Sequence, residues 1–568
     1  MKENENITPL RRLFRLLATQ KDLLVNVYLY ALFNGLLNLS IPLGIQAIIN
    51  LIQSGTTSTS WVVLVVLVLI GLALAGMFQV FQLSAAETIQ QKIFANASVE
   101  FAFRIPRIKL SALQDKYAPE LVNRFFDIMT VQKGLSKILF DFSVAAVQIL
   151  FGLLLLAMYH PFFIAFGIGM VALLVIFFYI TTQKGLSTSL NESKYKYKLV
   201  GWLEEVAKNL RTFKMAGTPK LPMQRTDDLS LEYLNARQKH FKILVRQFAA
   251  MIGLKVIVTG SLLILGGMLV FQQEMNIGQF VAAEIIIILI INSVEKLILS
   301  METIYDVLTG LEKVGSVTDL ELEEIGKSQA PKEHFSQFAI RGKNISLRAP
   351  ENPNTVLLNQ INFEIKAGEK VGLIGGMGAG KSSLMYLVAG LYDKFQGQLS
   401  YNDISIQHFD IESLRGQIGD NFKEEGVFEA SLLDNITLGK SGVSQSKLQE
   451  IINLTDLQDF IDELPNGIQT VLPPSGISLA ESIRTRIIMA RSLVGAHSLL
   501  LMQDHWQSVE PNIVSRWFDH ICDSNEATLI LSTNNEELLK RMDRIMVMKN
   551  GEILDSGSFN DIKKHLPC

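Results

Sequence analysis

This chain contains the stretch Gly375-Gly376-Met377-Gly378-Ala379-Gly380-Lys381-Ser382, which decides the fold of its second half. The stretch matches the phosphate-binding pattern G-x-x-x-x-G-K-[ST]. Val371–Ile374 before it read as a buried strand, and Ser383–Leu387 after it open a helix. Backbone N–H groups of such a loop cradle phosphates, Lys381 reaches the terminal ones, and Ser382 is the expected Mg²⁺ ligand. A chance glycine-rich turn is the weaker interpretation, because strand, loop and helix follow in order.

The composition predicts a membrane protein with more than one domain. The chain has 568 residues, of which 49% are hydrophobic, and its mean hydropathy is +0.28. A net charge of −3 gives no support for a nucleic-acid partner. The two cysteines, Cys522 and Cys568, indicate no disulfide framework and suit a reducing compartment. The stretch Met1–Asn6 is polar and acidic, so we expect neither a cleaved signal nor a transit peptide.

Six apolar runs of bilayer length occupy the first half of the chain. We place these spans at 24–51, 61–83, 141–160, 162–182, 247–271 and 277–300. The segments 1–22, 84–140 and 183–246 are rich in Lys and Arg, whereas the short connections between the other spans carry neither. The positive-inside rule therefore predicts that both termini and the two long segments are cytoplasmic. We expect the long segments to be helical extensions of the spans, and membrane lipid to surround the spans themselves.

A short amphipathic helix is predicted before the first span. Thr8 is a capping residue and Pro9 a favoured first-turn residue. Its apolar face consists of Leu10, Leu13, Phe14 and Leu17. The segment reads as an elbow helix lying on the cytoplasmic leaflet, or as the plain start of the first span.

Ionisable residues lie inside the last two spans, namely Lys255, Glu284, Glu295 and Lys296. Each costs about 2.5–3.5 kcal/mol at the membrane centre, so we expect them to face the protein interior or water. In one interpretation, Glu284, Glu295 and Glu302 form a helical stripe that lines a translocation path. In the other, Lys255 and Glu295 form a buried ion pair that holds the bundle together.

The sequence of the second half of the chain predicts a soluble domain that follows a linker. Residues 318–336 are polar, include Pro331 and read as the linker that follows a membrane domain over 1–317. From 337 to 568, short apolar strands alternate with helical patterns. The predicted fold is therefore a membrane all-α six-helix domain plus an α/β P-loop nucleotide-binding domain.

The whole chain resembles an ABC exporter half-transporter. The resemblance rests on the six spans, the P-loop domain and the phrases Asp434-Asn435-Ile436-Thr437-Leu438-Gly439, Leu464-Pro465-Asn466-Gly467 and Ile487-Ile488-Met489-Ala490-Arg491-Ser492-Leu493. The phrases Asn276–Glu284 and Ala389–Tyr392 look closest to the type I secretion branch. The resemblance implies outward transport across a cell membrane, here a bacterial inner membrane. It also implies that two nucleotide-binding domains enclose two ATP molecules, each between one chain's P-loop and the other's signature helix.

The resemblance assigns the nucleotide-binding positions. These are Gly375, Gly376, Met377, Gly378, Ala379, Gly380, Lys381, Ser382, Ser383 and Lys423. Lys423 stands where the family has a glutamine that helps to hold Mg²⁺. An ammonium there repels the metal but can neutralise phosphate charge. ATP is the expected cofactor, and it would bind with little need for Mg²⁺.

Most hydrolytic positions depart from the family pattern. The catalytic Glu corresponds to Asp504, the metal-organising Asp to Gln503 and the switch His to Asn534. Asp504 is one methylene shorter than the base that reaches the attacking water, and Asn534 has no protonatable imidazole. Ala349 replaces the aromatic residue that stacks on adenine, and Glu510 replaces an Asp at the dimer contact.

The signature sequence Leu-Ser-Gly-Gly-Gln corresponds to Leu479-Ala480-Glu481-Ser482-Ile483. Its usual role is to present a hydroxyl and bare N–H groups at a helix N-terminus to the partner's γ-phosphate. Ser478 and Glu481 have the S-x-x-E spacing of a capping box, which would satisfy those N–H groups internally. Incidental drift is the alternative. In both cases Glu481 brings a negative charge to the place of the phosphate.

These departures predict an ABC-type ATPase fold with weak or absent hydrolysis. Six spans and one nucleotide-binding domain make half a transport unit, so we expect a dimer. The favoured arrangement is a heterodimer with an intact ABC half-transporter. The alternatives are a homodimeric ATPase with unusual catalytic residues, and a catalytically silent scaffold that binds a secretion adaptor. No motif selects the cargo.

Overall fold

The computed structural model describes residues 8–55, 59–113, 118–217, 219–324, 335–350, 352, 354–423, 426–440, 442–495, 497–524 and 526–563. The chain divides into two compact units. The first contains Met1–Pro106 and Lys116–Asp319, and the second contains Arg107–Asp115 and Leu320–Cys568. Pro331, which suggested the linker, lies outside the described residues.

The first unit is helical throughout. Its helices are α1 (Pro9–Ala18), α2 (Lys21–Asn38), α3 (Ser40–Gln53), α4 (Thr59–Arg104), α5 (Ala118–Val122), α6 (Phe126–Tyr159), α7 (Phe162–Lys208), α8 (Leu210–Met215), α9 (Leu221–Phe271) and α10 (Ile277–Thr318). Six segments in the described part of the chain are long and apolar enough to cross a membrane, which confirms the six predicted spans. The first of them comprises α2 and α3.

The spans extend well beyond a bilayer. Helix α9 has 51 residues and is about 77 Å long at a rise of about 1.5 Å per residue, compared with about 30 Å of hydrocarbon. A helix of this length is expected if the long segments extend the spans. The extensions are not continuous, however. Short 3₁₀ turns at Ile105–Arg107 and Leu110–Leu113 follow α4, and α8 stands alone between α7 and α9.

Local sequence explains where two of these helices begin. The first span breaks at Leu39, because Pro42 lacks the N–H that would bond four residues back and its ring crowds that carbonyl. Helix α1 begins as predicted, with the Thr8 side chain accepting a hydrogen bond from the Arg11 N–H at 3.4 Å. Its apolar face is divided, because Leu13 packs inward whereas Leu10 and Phe14 are exposed.

The second unit contains two sheets. The strands are β1 (Ile340–Arg348), β2 (Val356–Ile365), β3 (Lys370–Ile374), β4 (Gln396–Tyr401), β5 (Ile404–Ser405), β6 (Ile418–Asn421), β7 (Leu499–Gln503), β8 (Thr528–Ser532), β9 (Arg544–Lys549) and β10 (Glu552–Gly557). The larger sheet has the order β10-β9-β3-β8-β7-β6, and its strands from β9 to β6 are parallel. The smaller sheet, β2-β1-β4-β5, is antiparallel. These sheets confirm the predicted α/β domain.

Helices pack around the larger sheet. They are α11 (Lys381–Val388), α12 (Ile411–Gly416), α13 (Leu432–Thr437), α14 (Gln445–Leu454), α15 (Gln458–Glu463), α16 (Glu481–Arg491), α17 (Pro511–Ser524), α18 (Glu536–Leu539) and α19 (Phe559–Ile562). Strands β3 and β7 are almost wholly buried, as expected for short apolar strands in the middle of a parallel sheet. Their apolar side chains form two cores, one on each side of the sheet.

The second unit also holds two short segments from distant parts of the chain, which we call the clasp (Arg107–Lys109 with Glu321–Glu323). The Lys109 N–H donates to the Glu321 carbonyl at 3.0 Å, and the Glu323 N–H donates to the Arg107 carbonyl at 2.8 Å. The Arg415 guanidinium donates two hydrogen bonds to the Glu323 carboxylate, at 2.7 and 2.8 Å. The same guanidinium donates to the Gly390 carbonyl at 2.7 Å, just beyond the end of α11. The clasp is therefore anchored close to the P-loop helix.

Candidate nucleotide site

Four neighbouring parallel strands bring the predicted site residues together. The P-loop follows β3, Asn534 lies just after β8, Gln503 ends β7, and Lys423 lies just after β6. These strands are adjacent in the order β3-β8-β7-β6. Because parallel strands end at the same edge of a sheet, the four positions meet at the carboxyl edge, where ligands bind in open α/β sheets.

The P-loop conformation depends on two of its glycines. Gly375 has φ +153°, and a Cβ there would lie 2.3 Å from the Met548 carbonyl oxygen. Gly380 has φ +98°, and a Cβ there would lie 2.9 Å from the Leu357 carbonyl oxygen. Gly380 is also the N-cap of α11 and supplies no side-chain acceptor, so the first N–H groups of this helix are left for a ligand. Met377 is fully exposed on this loop.

Lys381 is folded back over the loop that precedes it. Its Nζ donates to the Gly375 carbonyl at 2.6 Å and to the Gly376 carbonyl at 3.0 Å. Burial lowers the pKa of this ammonium. The carbonyls keep the cation at the loop, where an incoming phosphate would replace these neutral acceptors by charged ones.

The residues at the expected metal position do not fit Mg²⁺. The Gln503 Nε2 donates to Ser382 Oγ at 3.1 Å, and the Lys423 N–H donates to Gln503 Oε1 at 3.2 Å. Magnesium needs near-octahedral oxygen ligation, usually with a carboxylate among the ligands. Here an amide hydrogen is directed at the hydroxyl that would bind the metal. No group of three His, Cys, Asp or Glu side chains suited to a metal occurs in the described residues.

Both oxygens of the Asp504 carboxylate accept hydrogen bonds from neighbouring side chains. Thr533 Oγ1 donates to its Oδ2 at 2.6 Å, and Gln507 Nε2 donates to its Oδ1 at 3.3 Å. Asp504 is half-buried and Asn534 is exposed. Sequence reasoning missed Thr533 and Gln507 as partners of Asp504. The position of Thr533, directly after β8 and next to Asn534, is the signal that could have identified it.

Glu510, at the predicted dimer contact, is engaged within its own chain. It forms an ion pair with Arg486, a buried residue of α16. A hydrogen bond from its own backbone N–H, followed by the Arg486 guanidinium, lowers the pKa of Glu510. Arg486 also pairs with Asp456 at 3.4 Å. The position corresponding to the dimer-contacting Asp is therefore tied to the helix that carries the signature.

The predicted capping box at the signature is wrong. Helix α16 begins at Glu481, and its N-cap is Ala480, which has no side-chain acceptor. The Leu479 N–H bonds to the Gly476 carbonyl at 2.9 Å, so the preceding turn runs on past Ser478. The first helical bond joins the Arg484 N–H to the Ala480 carbonyl at 3.1 Å. Glu481 is thus the first helical residue and not the third, as a capping box requires.

Ala349 lines an open cleft of about 470 Å³ in the second unit. The ring expected before Pro350 is lacking, but Tyr392 and Phe395 line the same cleft. Sequence reasoning did not identify these two aromatic residues, because they lie on a segment that carries no adenine-binding motif.

The ion pair predicted between two membrane helices is formed, and a second pair that was not predicted lies nearby. Lys255 Nζ lies 3.5 Å from Glu295 Oε2, and Arg237 lies 3.3 Å from Glu302. The Lys255 side chain is half-exposed, however, so the predicted pair exists without being buried. Glu284, Glu295 and Glu302 are all half-buried on α10.

Two family profiles match this chain. The profile described as ABC transporter matches residues 358–505, and the profile described as ABC transporter transmembrane region matches residues 24–294. The first contains the P-loop and ends just beyond Asp504. The second covers most of the membrane helices. A solved structure of a bacterial Atm1-family ABC exporter with ATP bound has a TM-score of 0.82, with 19% identity, over 96% of this chain and 97% of that chain. The likeness shows a shared fold.

Sequence relatives include exporters of bacterial toxins. The alpha-hemolysin translocation ATP-binding protein HlyB of Escherichia coli O157:H7 is 30% identical over 302 residues, which are 52% of this chain and 42% of that protein. The leukotoxin export ATP-binding protein LtxB of Aggregatibacter actinomycetemcomitans is 29% identical over 57% of this chain and 46% of that protein. The match thus spans less than half the length of these two relatives. The heterocyst differentiation ATP-binding protein HepA of Nostoc is 23% identical over 85% of this chain and 77% of that protein.

Proposed function

Because this chain belongs to the ABC transporter family, as a half-transporter whose membrane domain is fused to an ATP-binding domain, we propose that it is a non-hydrolysing or very slow subunit of an exporter. The observation that carries the proposal is the hydrogen-bonded carboxylate of Asp504. A general base must be directed at its water, and the hydrogen bonds from Thr533 and Gln507 instead hold both oxygens of this carboxylate toward its own chain. Gln503 and Asn534 weaken the site further, because neither carries the charge or proton of the residue it replaces.

The proposed partner is a second half-transporter with intact motifs. Two halves are needed for a transport unit, and each ATP would lie between one P-loop and the opposite signature helix. Glu481 at the start of α16 is exposed and would bring a carboxylate against the partner's γ-phosphate. In such a dimer, the site on this chain's P-loop would lack hydrolytic groups. The site on the partner's P-loop would face the altered signature of this chain. We place both termini in the cytoplasm on the distribution of Lys and Arg.

A second candidate is a catalytically silent subunit of a protein-secretion complex. The relatives named for toxin translocation and export favour this assignment, and a secretion adaptor would be the partner. In this role the P-loop would bind nucleotide without turnover, or not at all. The third candidate, a homodimeric ATPase, would use Asp504 in a new arrangement.

The test uses the full-length protein in lipid nanodiscs, alone and with any candidate half-transporter. Nucleotide binding and phosphate release would be compared with those of Lys381→Ala. We expect nucleotide binding without turnover by the chain alone, and turnover only with the partner. Sustained Lys381-dependent turnover by the chain alone would support the homodimeric ATPase and overturn the proposal. Lack of nucleotide binding in every preparation would favour the silent subunit.

A further inference from the structure

Gln503, at the end of β7, links the P-loop after β3 to the segment that follows β6. Its Nε2 donates to Ser382 Oγ at 3.1 Å, and its Oε1 accepts from the Lys423 N–H at 3.2 Å. We call these three residues the amide bridge. A backbone N–H can only donate, so the amide oxygen faces Lys423 and the NH₂ group faces Ser382. The orientation of the amide is therefore determined by its partners.

The amide bridge occupies the position where a P-loop normally holds its cation. A hydroxyl oxygen has two lone pairs, and the amide hydrogen takes one at Ser382, so a metal bound to the other would lie beside the NH₂ group, whose hydrogens repel it. Gln503 is only 8% exposed, so its side chain has little room to move aside. Swinging it away would also leave the Lys423 N–H without this acceptor, at a cost of about 1–3 kcal/mol if the group stays buried.

Within the described part of the chain, the carboxylate nearest in sequence to Gln503 is directed at other partners. The carboxylate next in sequence, Asp504, has one oxygen held by Thr533 at 2.6 Å and the other by Gln507 at 3.3 Å. The two hydrogen bonds of the bridge join neutral groups, namely the Ser382 hydroxyl, the Gln503 amide and the Lys423 backbone N–H. A divalent cation at Ser382 would therefore meet an amide NH₂ group, where magnesium prefers carboxylate oxygens and water.

Two ammonium groups can supply the positive charge in its place. Lys381 is held at the loop by the Gly375 and Gly376 carbonyls. Lys423 is exposed, and its backbone is fixed to the bridge beside Ser382. A lysine side chain spans several ångströms, so both ammonium groups can approach the phosphates of a nucleotide seated on the loop.

We propose that this P-loop binds the nucleoside triphosphate in its metal-free form, with the amide bridge excluding a divalent cation and Lys381 and Lys423 balancing the phosphate charge. The inference rests on the proposed nucleotide binding and adds the ionic form of the ligand. Metal-free binding would also separate this site from turnover, because phosphoryl transfer normally relies on a metal to neutralise the developing charge.

The experiment measures binding of trinitrophenyl-ATP to the full-length protein in nanodiscs, once with excess Mg²⁺ and once with a chelator. For the unaltered chain we expect the two Kd values to agree within about twofold. Gln503→Asp restores a carboxylate beside Ser382, so its affinity should be about 10- to 100-fold higher with Mg²⁺ than with chelator. Gln503→Leu breaks the bridge without adding a carboxylate and serves as the matched control, so its gain in Mg²⁺ dependence should stay well below that of Gln503→Asp. Lys423→Gln should weaken metal-free binding about tenfold.

Thermal unfolding of each variant shows whether the second unit remains folded, and Mn²⁺ paramagnetic resonance gives an independent readout of bound metal. We expect nucleotide-dependent Mn²⁺ binding by Gln503→Asp and none by the unaltered chain. A drop of tenfold or more in the affinity of the unaltered chain on chelation would overturn metal-free binding while leaving nucleotide binding intact. Equal affinities for Gln503→Asp in both conditions would overturn the role of the bridge. Failure to bind under both conditions would overturn the nucleotide-binding proposal itself.

Discussion

Thr533 Oγ1 donates a hydrogen bond of 2.6 Å to Asp504 Oδ2, across the carboxyl ends of the adjacent strands β8 and β7. The Asp504 N–H bonds to the Ser532 carbonyl at 2.9 Å, which holds the two residues side by side. The Thr533 hydroxyl in turn accepts from the Asn535 N–H at 2.9 Å. The carboxylate is thus directed into its own sheet edge by a chain of bonds that ends at the start of α18.

The first prediction concerns this carboxylate. Asp504→Asn should leave any slow phosphate release by the purified chain within about twofold of its original rate, because the carboxylate does not act as a base. The amide oxygen can still accept from Thr533, and the exposed Gln507 can turn its own amide oxygen toward the new NH₂ group, so the local structure is kept. Phosphate release would be measured beside Lys381→Ala, which reports turnover at this P-loop. A loss of about 100-fold or more on Asp504→Asn would identify Asp504 as a working general base and contradict this prediction.

The second prediction concerns pH. Burial lowers the pKa of Lys381, whereas a bound phosphate favours its charged form. Above the lowered pKa, binding requires uptake of a proton, so nucleotide affinity should fall as the pH rises toward the ordinary lysine pKa of about 10.4.

The control for this pH dependence is the same titration on Lys381→Ala. That variant should bind at least about tenfold more weakly and show a flatter profile, since no ammonium titrates at the loop. If affinity rises with pH, or if Lys381→Ala keeps the full pH dependence, another group is responsible.

Local patterns predicted the elements of this fold well. The six spans follow from uninterrupted apolar runs, and the P-loop follows from a short motif between a strand and a helix. Adjacent strands then bring Ser382, Gln503 and Lys423 to one edge, as the parallel topology requires. Each of these features depends on residues that are close in sequence, or on a strand order that such domains share.

Contacts between distant residues could not be predicted in the same way. The amide bridge joins Ser382 to Gln503 across 121 positions, and no local pattern reports such a contact. The clasp joins Lys109 to Glu321 across 212 positions. The prediction of a capping box at Ser478 and Glu481 was wrong for a different reason. The S-x-x-E pattern was present, but the turn that ends at Leu479 delays the helix until Glu481.

The third prediction concerns the anchor of the clasp. Arg415 and Glu323 have side chains that are 27% and 15% exposed, and Arg415 also holds the Gly390 carbonyl. Arg415→Met leaves the carboxylate of Glu323 without its guanidinium partner, so we expect a loss of about 2–3 kcal/mol. That loss corresponds to a fall in Tm of about 5–10 °C for a unit of this size. Unfolding would be followed by the fluorescence of the buried Trp506 and Trp517.

A matched pair in the same unit provides the control. Arg341 pairs with Glu364, but both side chains are exposed. Arg341→Met should therefore leave the Tm nearly unchanged. The double variant of Arg415→Met with Glu323→Gln should lose less than the sum of the single losses, because the two residues interact directly. Equal effects of Arg415→Met and Arg341→Met would show that the clasp is not anchored in this way.

The last prediction concerns the N-terminus of α16, where Ala480 and not Ser478 is the N-cap. Ala480 is the N-cap, with φ −58° and ψ 146°, and it lacks an acceptor for the free N–H groups of the helix. Ala480→Ser supplies that acceptor and should stabilise the second unit by about 0.5–2 kcal/mol. The same change restores the serine that a signature would present to a partner's nucleotide. Glu481→Gly removes the exposed carboxylate beside it.

These substitutions distinguish the stabilisation of α16 within one chain from an effect of the signature on the partner's nucleotide site. Ala480→Ser should raise the Tm of the second unit whether or not a partner is present, because capping is internal to α16. Ala480→Ser combined with Glu481→Gly should raise phosphate release only when an intact half-transporter is present, because the repaired signature would act on the partner's P-loop. Glu526→Gly, an exposed acidic residue outside the helices, is the control for lost charge. Increased release by the chain alone would instead indicate that two copies of this chain form a working site, and the heterodimer would be wrong.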